Sequence, residues 1–486
     1  MLVKLINRVF IFGLLTISPA LDAQTGQESS VLVWISSEDM SAQLTLLSGS
    51  DVTTGDARRS GGRVATVRVL DSETHQTILG LGSSLEHTTC YNIAKLPESA
   101  RREVVRKLVS RDFGIGMNLM RICMGTPDFT GEPWYTYDDS PAGAPDSELR
   151  HFAIEKDRSY VLPVLRAALE ENSELLFYAS PWSPPGWMTT TGDMIGGKLK
   201  REYYAAYAEY FVRFVQAYAE AGVPVYAVTI QNEPGVDRAN ESNSKWHYPS
   251  CRWTGEDERD FIRDHLGPAF ARAGIATKIW SYDHNFNTNP TPDGDDPGID
   301  YPTAVLRDKN AARFVDGVAF HGYAGNSSGM SEFATRFPDV QMYFTEGSTF
   351  GTRGALKVIE YFTHGASSYN AWVTMIDEKG GPNNGPFNAS QTCVTLDSGS
   401  LATKYHFDYF MYGQFMKFIQ RNAVRLGTSS ERGARDAVAF RNPDGSIVVI
   451  AVNPDASTQS LRVENGDDVV SFTLPAKSVA TVMCAD

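Results

Sequence analysis

The sequence predicts an α/β protein, a (β/α)8 TIM barrel with a side β-sandwich domain built from both chain ends. Three observations carry that expectation. Eight apolar segments alternate with helical stretches over about 300 residues, and several are apolar throughout, as strands buried on both faces must be. Both chain ends show two-residue alternation punctuated by turn residues instead. No G-x-G-x-x-G or GKS/T loop follows a strand, which weakens the nucleotide-binding form of the rival doubly wound sheet.

Residues 1–23 carry Lys4 and Arg8, an apolar run from Val9 to Ile17, then the small residues Ala20 and Ala23. That order is a secretory signal peptide, and the apolar run is too short to span a bilayer. It predicts an exported protein, secreted or periplasmic, with no integral membrane segment in the mature chain. Cleavage after Ala23 removes Lys4, Arg8 and Asp22 and takes the net charge from −14 to −15. Such an acidic chain does not favour nucleic acid or anionic membranes. Five cysteines without a CxxC pair show no zinc pattern, so the sequence predicts no metal site and no cofactor, while leaving one disulfide open.

Residues 24–75 read as N-terminal strands of the sandwich, in VLVWISS, LTLLSG and VATVRVLD. Residues 421–486 supply its C-terminal strands. A hairpin is signalled there at Asn442-Pro443-Asp444-Gly445 and a second by Asn465-Gly466. Between them, 76–420 form the catalytic barrel. Its strands are read in TILGLG, MNLMRICM, ELLFYAS, VYAVTIQN, TKIWSYD, VDGVAFHG, VQMYFTE and YNAWVTM. Helices are read at 97–112, 201–222 and 255–274.

Active sites of such barrels lie at the C-terminal ends of the strands. Those ends deliver Arg121 and Asp128, then Ser180, Trp182 and Trp187, then Asn232 and Glu233. The later strands deliver Tyr282, Asp283 and His284, then His321 and Tyr323, Glu346, and Trp372. Singly, each has a structural explanation: Arg121 as an ion-pair partner, His321 as a core histidine, Asp283 as a helix cap, the tryptophans as core. Together they are hard to explain by packing. Strands four and seven face each other across a barrel, so Glu233 and Glu346 are expected about 5–5.5 Å apart, the separation of a retaining glycosidase. On this reading Glu233 donates a proton from a carboxyl raised by its setting, and Arg121 keeps Glu346 ionised. Asn232 reaches a sugar 2-hydroxyl, and the tryptophans pack against the sugar ring.

The ordered motifs RICMGTPDF with YTYDD, ASPWSPPGWM, AVTIQNEP, YPSCRWTGEDERDFIRDHLGP, VAFHGY, FTEGS, AW…GGPN and GQFMKFI resemble the glucosylceramidase-type glycoside hydrolases, family 30 of the retaining barrel clan. The resemblance implies Glu233 as acid/base and Glu346 as nucleophile. It places Arg121, Asp128, Trp182, Asn232, His321, Tyr323 and Trp372 on the sugar-pocket positions. Glu86 and His87 in GLGSSLEHTT, Tyr369, and Gln414 in place of a usual His depart from the family pattern, and are expected to touch rim and subsites rather than the two carboxylates.

The resulting expectation is a retaining β-glycosidase of glucosylceramidase type acting on a β-glucoside, glycolipid or β-glucan. The alternatives are an endo- or exo-β-1,6-glucanase, or a β-xylosidase or β-fucosidase. A carbohydrate-binding protein without turnover is disfavoured because both carboxylates are present. The loops Tyr282–Pro302 and Glu378–Cys393 are expected to shape the outer subsites.

Overall fold

The computed structural model describes residues 31–55, 64–238, 247–291, 294–385, 389, 391–430 and 436–484. The predicted signal peptide lies outside the described residues. Eight strands form the barrel: β1 (Gly80–Gly82), β2 (Leu119–Met124), β3 (Leu176–Pro181), β4 (Val225–Thr229), β5 (Lys278–His284), β6 (Gly317–His321), β7 (Met342–Glu346) and β8 (Ser368–Asn370). Strands β2 to β7 pair in parallel in chain order. β8 pairs with β1, and parallel bridges Ser84–Arg121 and Met342–Ala366 join that pair to β2 and β7, closing the ring. The predicted first strand is shorter than read, because Thr77 ends a strand of the side sheet.

The helix that follows β3 buries an aromatic stripe. Tyr204–Glu220 turns Tyr207, Tyr210, Phe211, Phe214 and Tyr218 inward at three- and four-residue spacing. The helix read at 255–274 forms in three pieces, Gly255–Phe261, a π-helical turn at Ile262–Leu266, and Gly267–Ala273. Pro268 has no N–H for the carbonyl four residues back, and Gly267 N–H bonds Ile262 O instead.

The chain ends share one ten-stranded sheet. Val31–Ser37 pairs with the last strand, Ser478–Cys484, and the long strand Val64–Thr77 pairs with both Val424–Ser430 and Gln459–Asn465. The hairpin at Asn442–Gly445 forms as read, with Gly445 in the left-handed region (φ +88°). Strand Ile447–Asn453 shows why the two units hold together. Ile447, Val449 and Ala451 face the sandwich core, while Val448, Ile450 and Val452 join the barrel cluster. Phe440 meets Phe362 edge-on at 5.3 Å, and Trp34 packs on Phe418 at 4.5 Å. Gln414 belongs to this seam. It donates to Ser36 Oγ (2.7 Å) and accepts from Thr481 Oγ1 (2.6 Å), so this departure lies away from the predicted rim. All five cysteines are buried and free, so the open disulfide does not form. No helix among the described residues is long and apolar enough to cross a membrane.

Candidate active site

Inward-facing residues recur every second position along a strand, so the barrel interior fills in layers. The lower layer is apolar: Leu119, Tyr178, Ala227, Trp280, Ala319 and Tyr343 form one cluster, with Trp280 stacked on Tyr343 at 4.1 Å. Two residues higher stand Arg121, Ser180, Thr229, His321 and Thr345. On β5 that period would bring Tyr282 inward. A bulge against β6 prevents it: Tyr282 (φ +81°) and Asp283 (φ +65°) take left-handed backbone, and Asp283 occupies the inward place. Buried Glu258 braces the bulge, accepting from Ser281 Oγ (2.5 Å), Tyr282 N (3.3 Å) and Tyr301 Oη (2.9 Å).

Asp283 is therefore no helix cap but the hub of the layer. Its Oδ2 accepts from Arg121 Nη2 (2.8 Å), Ser180 Oγ (2.9 Å) and Thr229 Oγ1 (2.8 Å). Its Oδ1 accepts from His321 Nε2 (3.0 Å) and Thr345 Oγ1 (2.7 Å). Burial pushes this carboxyl up, but Arg121 and His321 outweigh it and hold it far below the usual range.

Arg121, fully buried, also ion-pairs through Nη1 with Glu346 Oε2 and donates from Nη2 to Asn232 Oδ1 (2.8 Å). Glu346 Oε1 accepts from Tyr323 Oη (2.7 Å). Glu233 follows β4 on left-handed backbone (φ +50°), its N–H anchored on Asp283 O (3.1 Å). Its Oε1 lies 3.4 Å from His321 Nδ1 and 3.9 Å from His284 Nδ1. The two predicted catalytic carboxylates thus stand at opposite nitrogens of one imidazole, His321 Nε2 being 3.7 Å from Glu346 Oε2.

One expectation is corrected here. The Glu233 carboxyl is lowered, not raised. Burial does push it up, but the His321 hydrogen bond and the charges of His284, His321 and Arg238 prevail and bring it to about 2. His321 moves the other way. Burial lowers it, yet Glu346 and Asp283 raise it to about 9. In the free protein the pair therefore keeps its proton on the imidazole.

Above the network opens a cavity of about 590 Å³ that reaches Glu233, Glu346, Asn232 and Tyr323. Trp182 and Trp372 stack on each other there (5.2 Å, 24°), with the Arg121 guanidinium 4.9 Å from the Trp182 ring. Asp128 lines the same space. Burial, then the charges of Glu346 and Glu233, raise its carboxyl well above the usual range, and its Oδ1 has no partner among the described residues. All nine predicted site residues are brought to this one place. Trp187 is not. Its indole N–H donates to Asp138 O (3.0 Å) and its ring packs edge-on against Tyr203, outside the cavity.

Two other departures also prove to be scaffold. Glu86 caps the helix His87–Lys95, accepting from Thr89 N at 2.7 Å, and Tyr369 lies flat on Phe344 at 5.4 Å. Sequence reasoning did not assign the cavity residues Arg238, Tyr248 and Phe350. For Arg238 the available signal was a cation five residues after Glu233, in the loop leaving the same strand. The predicted outer loops do reach the cavity, through Asn287, Thr291 and Asp295 on one side and Gln391 on the other.

A closed barrel with a carboxylate at the ends of β4 and β7, beside an aromatic wall, defines the class of glycoside hydrolases. Comparison with known proteins gives the family. Residues 78–383 match the glycosyl hydrolase family 30 TIM-barrel domain and 422–482 the family 30 β-sandwich domain. The chain belongs to glycosyl hydrolase family 30. It is 31% identical over 433 residues to an endo-1,6-β-D-glucanase of Neurospora crassa, spanning 82% of this chain and 86% of that protein. It is 28% identical over 419 residues to the lysosomal acid glucosylceramidase of Mus musculus, spanning 81% and 78%. Among solved structures it is similar to an endo-β1,6-glucanase, with TM-score 0.80 and 26% identity over 94% of this chain and 99% of that one.

Proposed function

We propose that the protein is a retaining β-glycosidase whose substrate is a β-1,6-linked glucan, ahead of glucosylceramide or a small β-glucoside. Its similarity to endo-1,6-β-glucanases at 31% identity across 82% of the chain carries this reading. The cavity supports it. Its lining includes the polar residues Arg238, Asn287, Thr291 and Asp295, which suit a hydroxyl-rich leaving group. Leu46, Phe113 and Tyr323 are the exposed large apolar side chains among the described residues, and only Tyr323 lines the cavity, which offers little platform for acyl chains.

In this mechanism Trp182 and Trp372 pack against the sugar, and the unpartnered Asp128 Oδ1 accepts from its hydroxyls. Tyr323 releases the Glu346 carboxylate, which attacks the anomeric carbon as Glu233 protonates the departing glycosidic oxygen. The proton comes from His321, which passes it to Glu233 across their 3.4 Å contact before the glycosidic bond breaks, so that Glu233 leaves this step as the carboxylate. A glycosyl ester on Glu346 results, and water deprotonated by Glu233 then opens it with overall retention. Arg121 and Asn232 hold nucleophile and sugar in register. We also propose that the enzyme is exported, on the order of charge and apolarity in residues 1–23; N-terminal sequencing of the mature protein checks the cleavage.

Hydrolysis of a β-1,6-glucan, glucosylceramide and aryl β-glucoside, β-xyloside and β-fucoside, followed by NMR, tests the reading. Short β-anomeric oligosaccharides from the glucan are expected. Turnover of glucosylceramide with the glucan untouched would replace it by the glucosylceramidase reading.

A further inference from the structure

Glu233 Oε1 faces two imidazoles, of which the acid/base chemistry uses only His321. His284 Nε2 lies 2.8 Å from the Asp295 main-chain carbonyl, which can only accept, so Nε2 carries the hydrogen. His284 Nδ1 is left pointing toward Glu233 from a residue that is 2% exposed, with no hydrogen-bond partner among the described residues. His321 repeats the pattern. Its Nε2–H is held by Asp283 Oδ1 (3.0 Å), and Nδ1 looks at the same carboxylate oxygen. Three atoms able to bind a metal thus converge, one carboxylate oxygen and two imidazole nitrogens. In each imidazole the far nitrogen is fixed by an oxygen, as the outer shell of a metal site fixes its histidine ligands.

We propose that Glu233, His284 and His321 form a reversible binding site for a borderline divalent transition-metal cation such as Zn²⁺, and that its occupation blocks the carboxylate assigned to proton transfer. The three ligand atoms lie within 4.8 Å of one another. Tetrahedral zinc with bonds of 2.0–2.1 Å wants them roughly 3.3 Å apart. The Glu233–His321 pair already stands at 3.4 Å, so the widest pair must close by about 1.5 Å, within reach of small side-chain rotations. Two imidazoles and one carboxylate select Zn²⁺, Co²⁺, Ni²⁺ or Cu²⁺ over Ca²⁺ and Mg²⁺, which take oxygen ligands. Glu233 and His284 line the cavity, so the remaining coordination position opens to water or a sugar hydroxyl. Binding expels the proton that His321 shares with Glu233.

The test uses the whole protein and Co²⁺, whose visible ligand-field bands report coordination directly. A saturable 1:1 spectrum that Zn²⁺ displaces is expected. His284→Gln and Glu233→Gln should each weaken Co²⁺ binding at least tenfold, while His75→Gln, at an exposed histidine of the side sheet, leaves it unchanged. Zn²⁺ should also inhibit the wild type in competition with substrate, reversibly on chelation. The inference is overturned if no such spectrum appears, or if binding survives in folded Glu233→Gln and His284→Gln proteins, or if it is lost in His75→Gln. The Co²⁺ readout needs no turnover, so it stands or falls apart from the choice of substrate.

Discussion

Asp283 and Arg121 form a fully buried ion pair, 2.8 Å from Oδ2 to Nη2, beneath the Glu346 carboxylate. The same guanidinium reaches Glu346 and Asn232, and the same carboxylate reaches His321. The orientation of both predicted catalytic residues therefore depends on one aspartate that does not line the cavity.

Asp283→Asn tests that dependence. Removing the charge leaves a buried guanidinium and imidazole less compensated, at a cost of about 3–5 kcal/mol. Denaturant unfolding should show that loss, and kcat should fall with it in the fraction that folds. Wild-type stability with normal kcat would show that Asp283 is dispensable.

Glu346→Gln keeps the shape of the side chain and removes the carboxylate proposed as nucleophile. Turnover should fall on the order of 10⁴-fold or more, with the thermal melt little changed and substrate still bound. Mass spectrometry of wild type treated with a slow-reacting 2-fluoro glycoside should find the adduct on Glu346. A label on any other residue would remove the nucleophile assignment.

Glu233→Ala should separate the two chemical steps. Glycosides with poor leaving groups lose nearly all activity, while activated aryl glycosides still form the intermediate. Azide should then accelerate its breakdown and yield a glycosyl azide of retained configuration. Equal losses on all substrates without rescue would argue against the acid/base role.

Glu258 gives a pH dependence of stability. Burial raises its carboxyl from 4.5 to about 7, against the opposing bonds from Ser281 and Tyr301. Between those values the native state holds a proton that the unfolded chain has released. Its contribution is thus complete below pH 4.5 and is lost as pH rises through about 7, on the order of 3 kcal/mol in all. Glu258→Gln removes this titration. Unfolding free energies of wild type and variant, measured between pH 4.5 and 8, should diverge in the variant's favour as pH rises. A constant difference would place the ionisation elsewhere.

Much of this was legible in the chain. Apolar strands such as 225–229 and 342–346 can only be buried on both faces, and their two-residue period puts the polar residues that follow them at one rim. The two hairpins were signalled by their turn residues, because asparagine, aspartate and glycine accept the backbone that tight turns demand. Asn232, Glu233, His321 and Glu346 could be named because they stand at the ends of apolar runs, and Arg121 because it interrupts one.

Tertiary structure alone decided what these residues do to one another. Asp283 could not be assigned its central place from sequence, because that depends on a bulge braced by Glu258, 25 residues away in sequence, which turns its side chain inward. The direction of the Glu233 shift was missed because burial and ion pairing oppose each other there, and their balance depends on His284, His321 and Arg238 arriving from other parts of the chain. The trio Glu233, His284 and His321 has no recognisable ligand spacing for the same reason. Periodicity is a local property that sequence carries directly, whereas charge balance and convergent lone pairs exist only after distant strands have closed into a ring.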